Sequence, residues 1–537
     1  MAGSQRRMLV ALVSALAATS CDRGEGTEEP PSPRSVVAAA DDGVSPSTRG
    51  AERSAGSAAG DSPAQRDVRA GAEGGGADAE ERAAADTPLP APPAPPAATQ
   101  GLGNFVSPRT TMVYAEPAWG SDIRGRIDPD APFAVGVEVE GEGCEESRWA
   151  AVELGGYVCL KHAEPSEEEP VILPVLAEGA IVPFIYAKPK QDRKGNLDAE
   201  IPRYRSYRQL RQGRPTSDAL VANRQYAFVE RIWRPSVGHV FVDVEGRAVP
   251  GRELKRQTPS DLFGRDMVEE PADEGLVAAW SVSIPALLRD MPSYRRRSRE
   301  VGSIDYHERL ELDPTPISGS GVLWYRIPGA GKDGADAYAE AKQVRFWDPG
   351  PELDDIDDDE LWLDVDIRQQ TLGVRRGQDV LFVTLVSSGT GKHPTPRGIF
   401  RIRNKLALGK MENKPDDPES YYVEAVPWVQ YFFRRIAFHA TYWHRGLGRR
   451  RSHGCINLAP RDAAYVFSLT SPEVPKGWTS VHEYADTLGT VVRVRRGDDE
   501  LVDYRRELPG DEEALAAEED EESDDDGIED AGVDDLG

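Results

Sequence analysis

A mainly β fold is predicted for the middle of this 537-residue chain, closed by one short helix. Three observations carry it. The apolar runs are short, several alternate, and Gly and Pro punctuate them. Every Phe, Trp and Tyr lies between Phe105 and Tyr504. Helical spacing is found after Leu458: Pro460 suits a first turn, Asp462 favours its positive end, and Ala463, Val466 and Phe467 share one face.

The two ends are predicted to stay unfolded. Residues 1–104 and 511–537 have no aromatics and are rich in Ala, Gly, Pro, Ser and acids. Such segments bury too little apolar area to offset their ordering entropy. They also hold most of the charge. Of the net −28, −15 falls in 511–537 and −5 in 1–104, leaving −8 between them. That balance argues against a nucleic-acid partner, because phosphate neutralisation needs a basic surface.

The first 20 residues read as an export signal. Arg6 and Arg7 precede an apolar run from Met8 to Ala18, too short for a mature membrane span. The stretch Leu16–Cys21 resembles a lipobox, with Ala18 in place of the usual larger aliphatic residue. That resemblance implies lipidation at Cys21 and a membrane anchor in the cell envelope or periplasm. Residues 21–104 then form a Pro/Ala/Gly-rich tether, with a reach on the order of 50 Å.

From 105 to 167 the pattern is short strands: Thr111–Tyr114, Phe133–Val139, Trp149–Leu154, and a Gly155-Gly156 turn into Tyr157-Val158-Cys159. The Trp, Gly-Gly turn and apolar strand resemble a bacterial SH3-like module. Residues 168–350 carry further β segments, at Phe228–Trp233, His239–Val244 and 321–327, read as one or two more small β modules. They show no chemical constellation. Residues 361–496 are expected to be a separate domain. Leu361–Ile367 alternates as a half-buried strand, and Arg375-Arg376-Gly377-Gln378 is a hairpin signal between Thr371–Val374 and Val380–Val386. Ile436–His439 is a short apolar strand ending on a histidine.

The cysteines divide cleanly. Cys21 belongs to the signal, and Cys144 and Cys159 have the spacing of a disulfide in an exported chain. Cys455 is left over, within 16 residues of His439, His444 and His453. A cysteine attacks a carbonyl as thiolate and needs a base or positive surroundings. His439 on a neighbouring strand supplies the base. Gly454 allows a tight turn, and backbone N–H groups there can face an oxyanion. The basic run Arg445 and Arg449–Arg451 suits a lowered thiol pKa and an anionic substrate. A zinc site lacks the usual ligand spacing, and no cofactor is expected. A purely structural cysteine leaves the histidines unexplained, and a papain-like protease has its nucleophile before its base.

The run Ser452-His453-Gly454-Cys455-Ile456-Asn457, with His439 upstream, resembles the signature of the L,D-transpeptidase (YkuD-type) family. His393-Pro394-Thr395-Pro396-Arg397-Gly398-Ile399-Phe400 resembles a second family segment. The likeness covers about a quarter of the chain. It implies a β-sandwich or barrel-like catalytic domain with a short helix after the nucleophile. It also implies exchange of peptide cross-links in peptidoglycan. By the same resemblance Cys455 is the nucleophile and His439 the acid/base, oriented by the carbonyl of Ala440. The amides of Gly454 and Cys455 form the oxyanion hole, with His453 beside it. Ser452 fixes the loop and Asn457 holds the backbone or meets substrate. Tyr442, Trp443 and His444 are expected to line the substrate cleft.

Overall fold

A computed structural model describes residues 101–144, 148–191, 200–222, 224–412 and 421–505. The expected signal peptide, Cys21, nearly all of the tether and the acidic tail lie outside these residues.

Residues 361–495 build two sheets around one core. In the first, β1 (Leu361–Asp366), β2 (Thr371–Arg376) and β3 (Asp379–Leu385) form an antiparallel meander, turned at Gly377 with φ +50°. β4 (Gly398–Arg401) joins the other side through the last strand, β10 (Val491–Arg495), which pairs in parallel with β1. In the second sheet β5 (Asn404–Glu412) pairs with β6 (Tyr422–Phe433) and β9 (Ser480–His482). β7 (Ile436–Ala440) follows on β6, and β8 (Ile456–Leu458) pairs in parallel with β7. The helix α1 (Pro460–Leu469) packs on β6 and β7. Leu363, Val365, Val374, Phe400, Phe432, Phe438, Ile456, Val466 and Val494 fill the space between the sheets.

The alternation in β1 predicts a half-buried strand, but β1 is buried on both faces from Trp362 onward. The reason is ionic. Asp364 accepts from Arg493 Nε and Nη2, at 2.9 and 2.7 Å, and from Arg495 Nε at 3.0 Å. Arg495 Nη1 lies 3.4 Å from Asp366. Register explains the match, because the parallel pairing sets Asp364 beside Arg493 and Asp366 beside Arg495. The remaining guanidinium N–H groups reach the carbonyls of Asp348 and Pro351, so residues 348–351 cover the polar face.

The N-terminal half attaches by strand addition. Ile123–Ile127 pairs with β9 through Gly125 and Arg126. Trp478 and Val481 complete the core of residues 105–160, and any Cβ at Gly125 would come within 2.7 Å of the Trp478 ring. Cys144 and Cys159 form a disulfide in this unit, with Cα atoms 5.8 Å apart. Arg224 and Gln225 pair in parallel with Tyr422 and Val423 of β6. Arg265–Asp266 pairs with β3.

Residues 185–256 and 277–346 repeat one topology that the sequence does not display. Ile185–Pro189 pairs with both Arg224–Arg234 and Leu254–Arg256, and Val277–Ser281 pairs likewise with Arg309–Gly319 and Val344–Phe346. In each, an 11-residue strand leads into a six-residue strand, a short one, a 3-10 turn and the last strand, and the second copy has one further 3-10 turn, Lys332–Gly334, before its short strand. Few residues are shared between the copies, so composition gives no sign of the repeat.

Replacing Asp364 with Ala leaves the buried Arg493 without a carboxylate and Arg495 with Asp366 alone. A loss of about 3–5 kcal/mol is expected. It is read as a lower urea midpoint for the unfolding of this domain, against a much smaller effect for Asp503→Ala on the surface.

Candidate active site

The hydrogen-bonding register of β7 and β8 places Phe438 beside Ile456, His439 beside Asn457 and Ala440 beside Leu458. The 16-residue separation of His439 and Cys455 is therefore closed by two neighbouring parallel strands. Partners in a parallel pair point to the same face, so His439 and Asn457 share one.

His439 is 3% exposed. Its Nδ1 lies 3.1 Å from the carbonyl of Ala440. A carbonyl only accepts, so Nδ1 carries the proton and Nε2 keeps its lone pair. Trp443 stacks on the same ring at 5.6 Å between centroids.

The turn before Cys455 is held from within. Ser452 Oγ accepts from the Gly454 amide at 3.2 Å and donates to the Cys455 carbonyl. Gly454 has φ +109°, and a Cβ there would meet Ile436 Cδ1 at 2.6 Å. Thr395 Oγ1 donates to the Gly454 carbonyl at 2.7 Å and accepts from the Gly389 amide at 2.9 Å. Gly389 approaches so closely that a Cβ would lie 2.0 Å from the His393 carbonyl. The Thr-Pro segment thus supports the turn before Cys455, a role for Thr395 that the sequence alone did not assign. Its place in the motif was the available signal.

Four expectations change. The Gly454 amide is spent on Ser452, so it is not a free oxyanion donor in this arrangement. Tyr442 is fully buried and stacks on Tyr186 at 3.4 Å, with its hydroxyl on the carbonyl of Glu424. It belongs to the core because the 185–189 strand covers it, and it does not line a cleft. His444 bonds within the protein through both ring nitrogens, to the Gly446 amide at 3.2 Å and the Asn457 side chain at 2.9 Å. His453 is exposed and its ring stands between those of His393 and Tyr421, at 4.6 and 4.9 Å.

The expected state of the thiol changes as well. Burial pushes Cys455 up to about 11, against smaller pulls from a backbone hydrogen bond at Ala437 and from Arg435. Burial pushes His439 down to about 4, and its bond to Ala440 recovers only part. The arginines of the catalytic loop do not reverse this. Arg449 reaches away to the Val282 carbonyl at 2.9 Å, and Arg451 packs over Gly446. Burial thus favours a neutral thiol beside a neutral imidazole.

The loop from Thr441 to Arg451 rests on the unit at 277–346. Tyr306 donates to the Arg445 carbonyl at 3.0 Å, and His307 Nε2 lies 3.1 Å from the carbonyl of Leu447. Val282 packs so tightly on Gly448 that a Cβ would come to 2.4 Å. Leu447 is fully buried in a cluster with Trp280, Val282 and Leu385.

Alkylation of Cys455 by iodoacetamide is expected to rise about tenfold per pH unit from about pH 7 to about pH 9, without a plateau. A plateau already present below about pH 7 would show a standing thiolate–imidazolium pair.

The model of the YkuD family, L,D-transpeptidase catalytic domain, matches residues 360–494. Those limits coincide with the two sheets. YciB of Bacillus subtilis (strain 168), named among the L,D-transpeptidases, is 25% identical over 126 residues, which is 22% of this chain and 65% of that protein. The chain thus spans just under two thirds of that relative's length. Among solved structures, an L,D-transpeptidase from Mycobacterium smegmatis is 23% identical, covering 30% of this chain and 75% of its own, with a TM-score of 0.21. An Enterococcus faecium L,D-transpeptidase is 24% identical, covering 26% of this chain and 50% of its own, with a TM-score of 0.21. On the family match, residues 360–494 are a YkuD-type L,D-transpeptidase catalytic domain.

Proposed function

We propose that this chain is an exported L,D-transpeptidase, lipid-anchored through Cys21, that cross-links peptidoglycan stem peptides through a thioester on Cys455. One observation carries the reading: the parallel β7–β8 pair sets an imidazole with a free Nε2 on the strand beside the one that the Ser452–Cys455 turn enters.

The resting protonation states shape the steps. Cys455 attacks the carbonyl between the L-centre and the terminal D-Ala of a tetrapeptide stem. Its proton passes to His439 Nε2 as the carbon–sulfur bond forms, so no buried charge pair has to stand in the free protein. The oxyanion is held by the Cys455 amide, because the Gly454 amide holds Ser452. His439 then protonates the departing D-Ala nitrogen, the carbon–nitrogen bond breaks, and a thioester remains. An amine of a second stem attacks the thioester, passes its proton through His439, and the thiol is restored on release of the 3→3 cross-link. The Ala440 carbonyl stabilises the imidazolium in place of a carboxylate. Water as the acceptor would make the same site an L,D-carboxypeptidase, and a protein amine would make it an anchoring enzyme.

The unit at 105–167 is read as an SH3-like positioning or wall-binding module, and residues 168–350 as one or two further small β modules, a division that the strand order repeated in 185–256 and 277–346 supports. No nucleic acid takes part.

Cys455→Ala is expected to abolish 3→3 product from purified tetrapeptide muropeptides, followed by mass spectrometry with and without an acceptor stem. Unchanged product sinks the proposal. Hydrolysis alone, in both conditions, replaces it with the carboxypeptidase. Binding to sacculi with neither product nor acylation by a β-lactam replaces it with a non-catalytic wall-binding protein.

A further inference from the structure

His444 offers more than lining. Its Nδ1 accepts the Gly446 N–H at 3.2 Å, so that nitrogen carries no proton. Burial, with Arg451 and His439 nearby, pushes the ring down to about 3 and keeps it neutral. A neutral imidazole has one N–H, which must then be at Nε2. Facing Nε2 at 2.9 Å is the Asn457 side-chain amide, with Nδ2 toward the ring and a buried Oδ1 left without a partner. Donor would face donor. Oxygen and nitrogen of an amide are assigned from the network, and here the network demands the turned amide. Asn457 Oδ1 then accepts from His444 Nε2–H.

We propose that His444, as its Nε2–H tautomer, is a positioning residue of the acyl-transfer site. It ties the loop leaving the base strand β7 to the strand β8 that follows the nucleophile. Asn457 is 2% exposed and register-paired with His439, so this bond fixes the amide beside the catalytic imidazole. The far side of the loop is pinned by Tyr306, His307 and Val282, which makes the unit at 277–346 the support of that bond. No side chain of this pair attacks or protonates the substrate.

The inference rests on the acyl-transfer reading, and its test separates the two. His444→Phe keeps the ring shape and removes both hydrogen bonds. It is expected to lower kcat for thioester formation about 10- to 100-fold with KM nearly unchanged, as losses of supporting hydrogen bonds do. His444→Gln, which can donate to Asn457 again, is expected to recover most of that loss. In the full-length protein, 15N shifts of the His444 ring are expected to show a protonated Nε2 and a bare Nδ1. An Nδ1–H tautomer, or a His444→Phe variant as active as the parent, overturns this inference alone. A parent protein that forms no thioester overturns the acyl-transfer reading, whatever the tautomer. If His444→Phe fails to fold, the Gln variant and the ring shifts still decide.

Discussion

The parallel pairing of two very short strands, β7 and β8, is the constraint on which the rest depends. Parallel neighbours need a crossover connection, and here the crossover is the loop 441–455 itself. A loop that must leave one strand, return, and enter the next in the same direction cannot be slack if it is to hold His439 and Cys455 in one fixed register. The structure tightens it at several points. Ser452 and Thr395 hold the exit turn, His444 is tied to Asn457, and the 277–346 unit pins the outer bend. A shift of one residue in the β7–β8 register would carry His439 to the opposite face.

Burial decides the electrostatics more than local sequence charge does. Arg445 and Arg449–Arg451 stand in the loop that leads to Cys455, and by sequence alone they favour a thiolate. The thiol nevertheless goes up, because desolvation acts on it directly while the loop arginines are turned to carbonyls and to the accessory unit. The same physics has the opposite outcome at β1. Asp364 and Asp366 are fully buried, more so than the half-buried Cys455, yet each meets a guanidinium across the parallel pair with β10. A charge in the interior is tolerated when register supplies its partner and suppressed when it does not.

The accessory units join the catalytic sheets by strand addition and by shared core, not by a hinge. Trp478 is a core residue of the N-terminal unit although it follows α1 in the chain. Leu447 of the catalytic loop is a core residue of the seam with 277–346. Such seams mean that a unit without chemistry of its own can still govern the geometry of a site. The repeated topology of 185–256 and 277–346 shows one architecture used twice, once on the edge of β6 and once under the catalytic loop.

The sequence by itself determined the β class, the hairpin at Gly377, the helix after Leu458, the Cys144–Cys159 pairing, and the motif that carries the family match of residues 360–494. Each of these is written in local spacing or in residue chemistry that acts over a few positions. It did not determine the repeat of two β units, because strand pairing is set by backbone bonds that few shared residues mark. It misplaced Tyr442, since an aromatic beside a site looks the same in sequence whether or not Tyr186 lies over it. The thiol's state, the tautomer of His444 and the partners of Asp364 depend on burial and on groups from 13 to 131 positions away. Only the tertiary structure brings those groups together, and hydrogen bonding and desolvation act only once they meet.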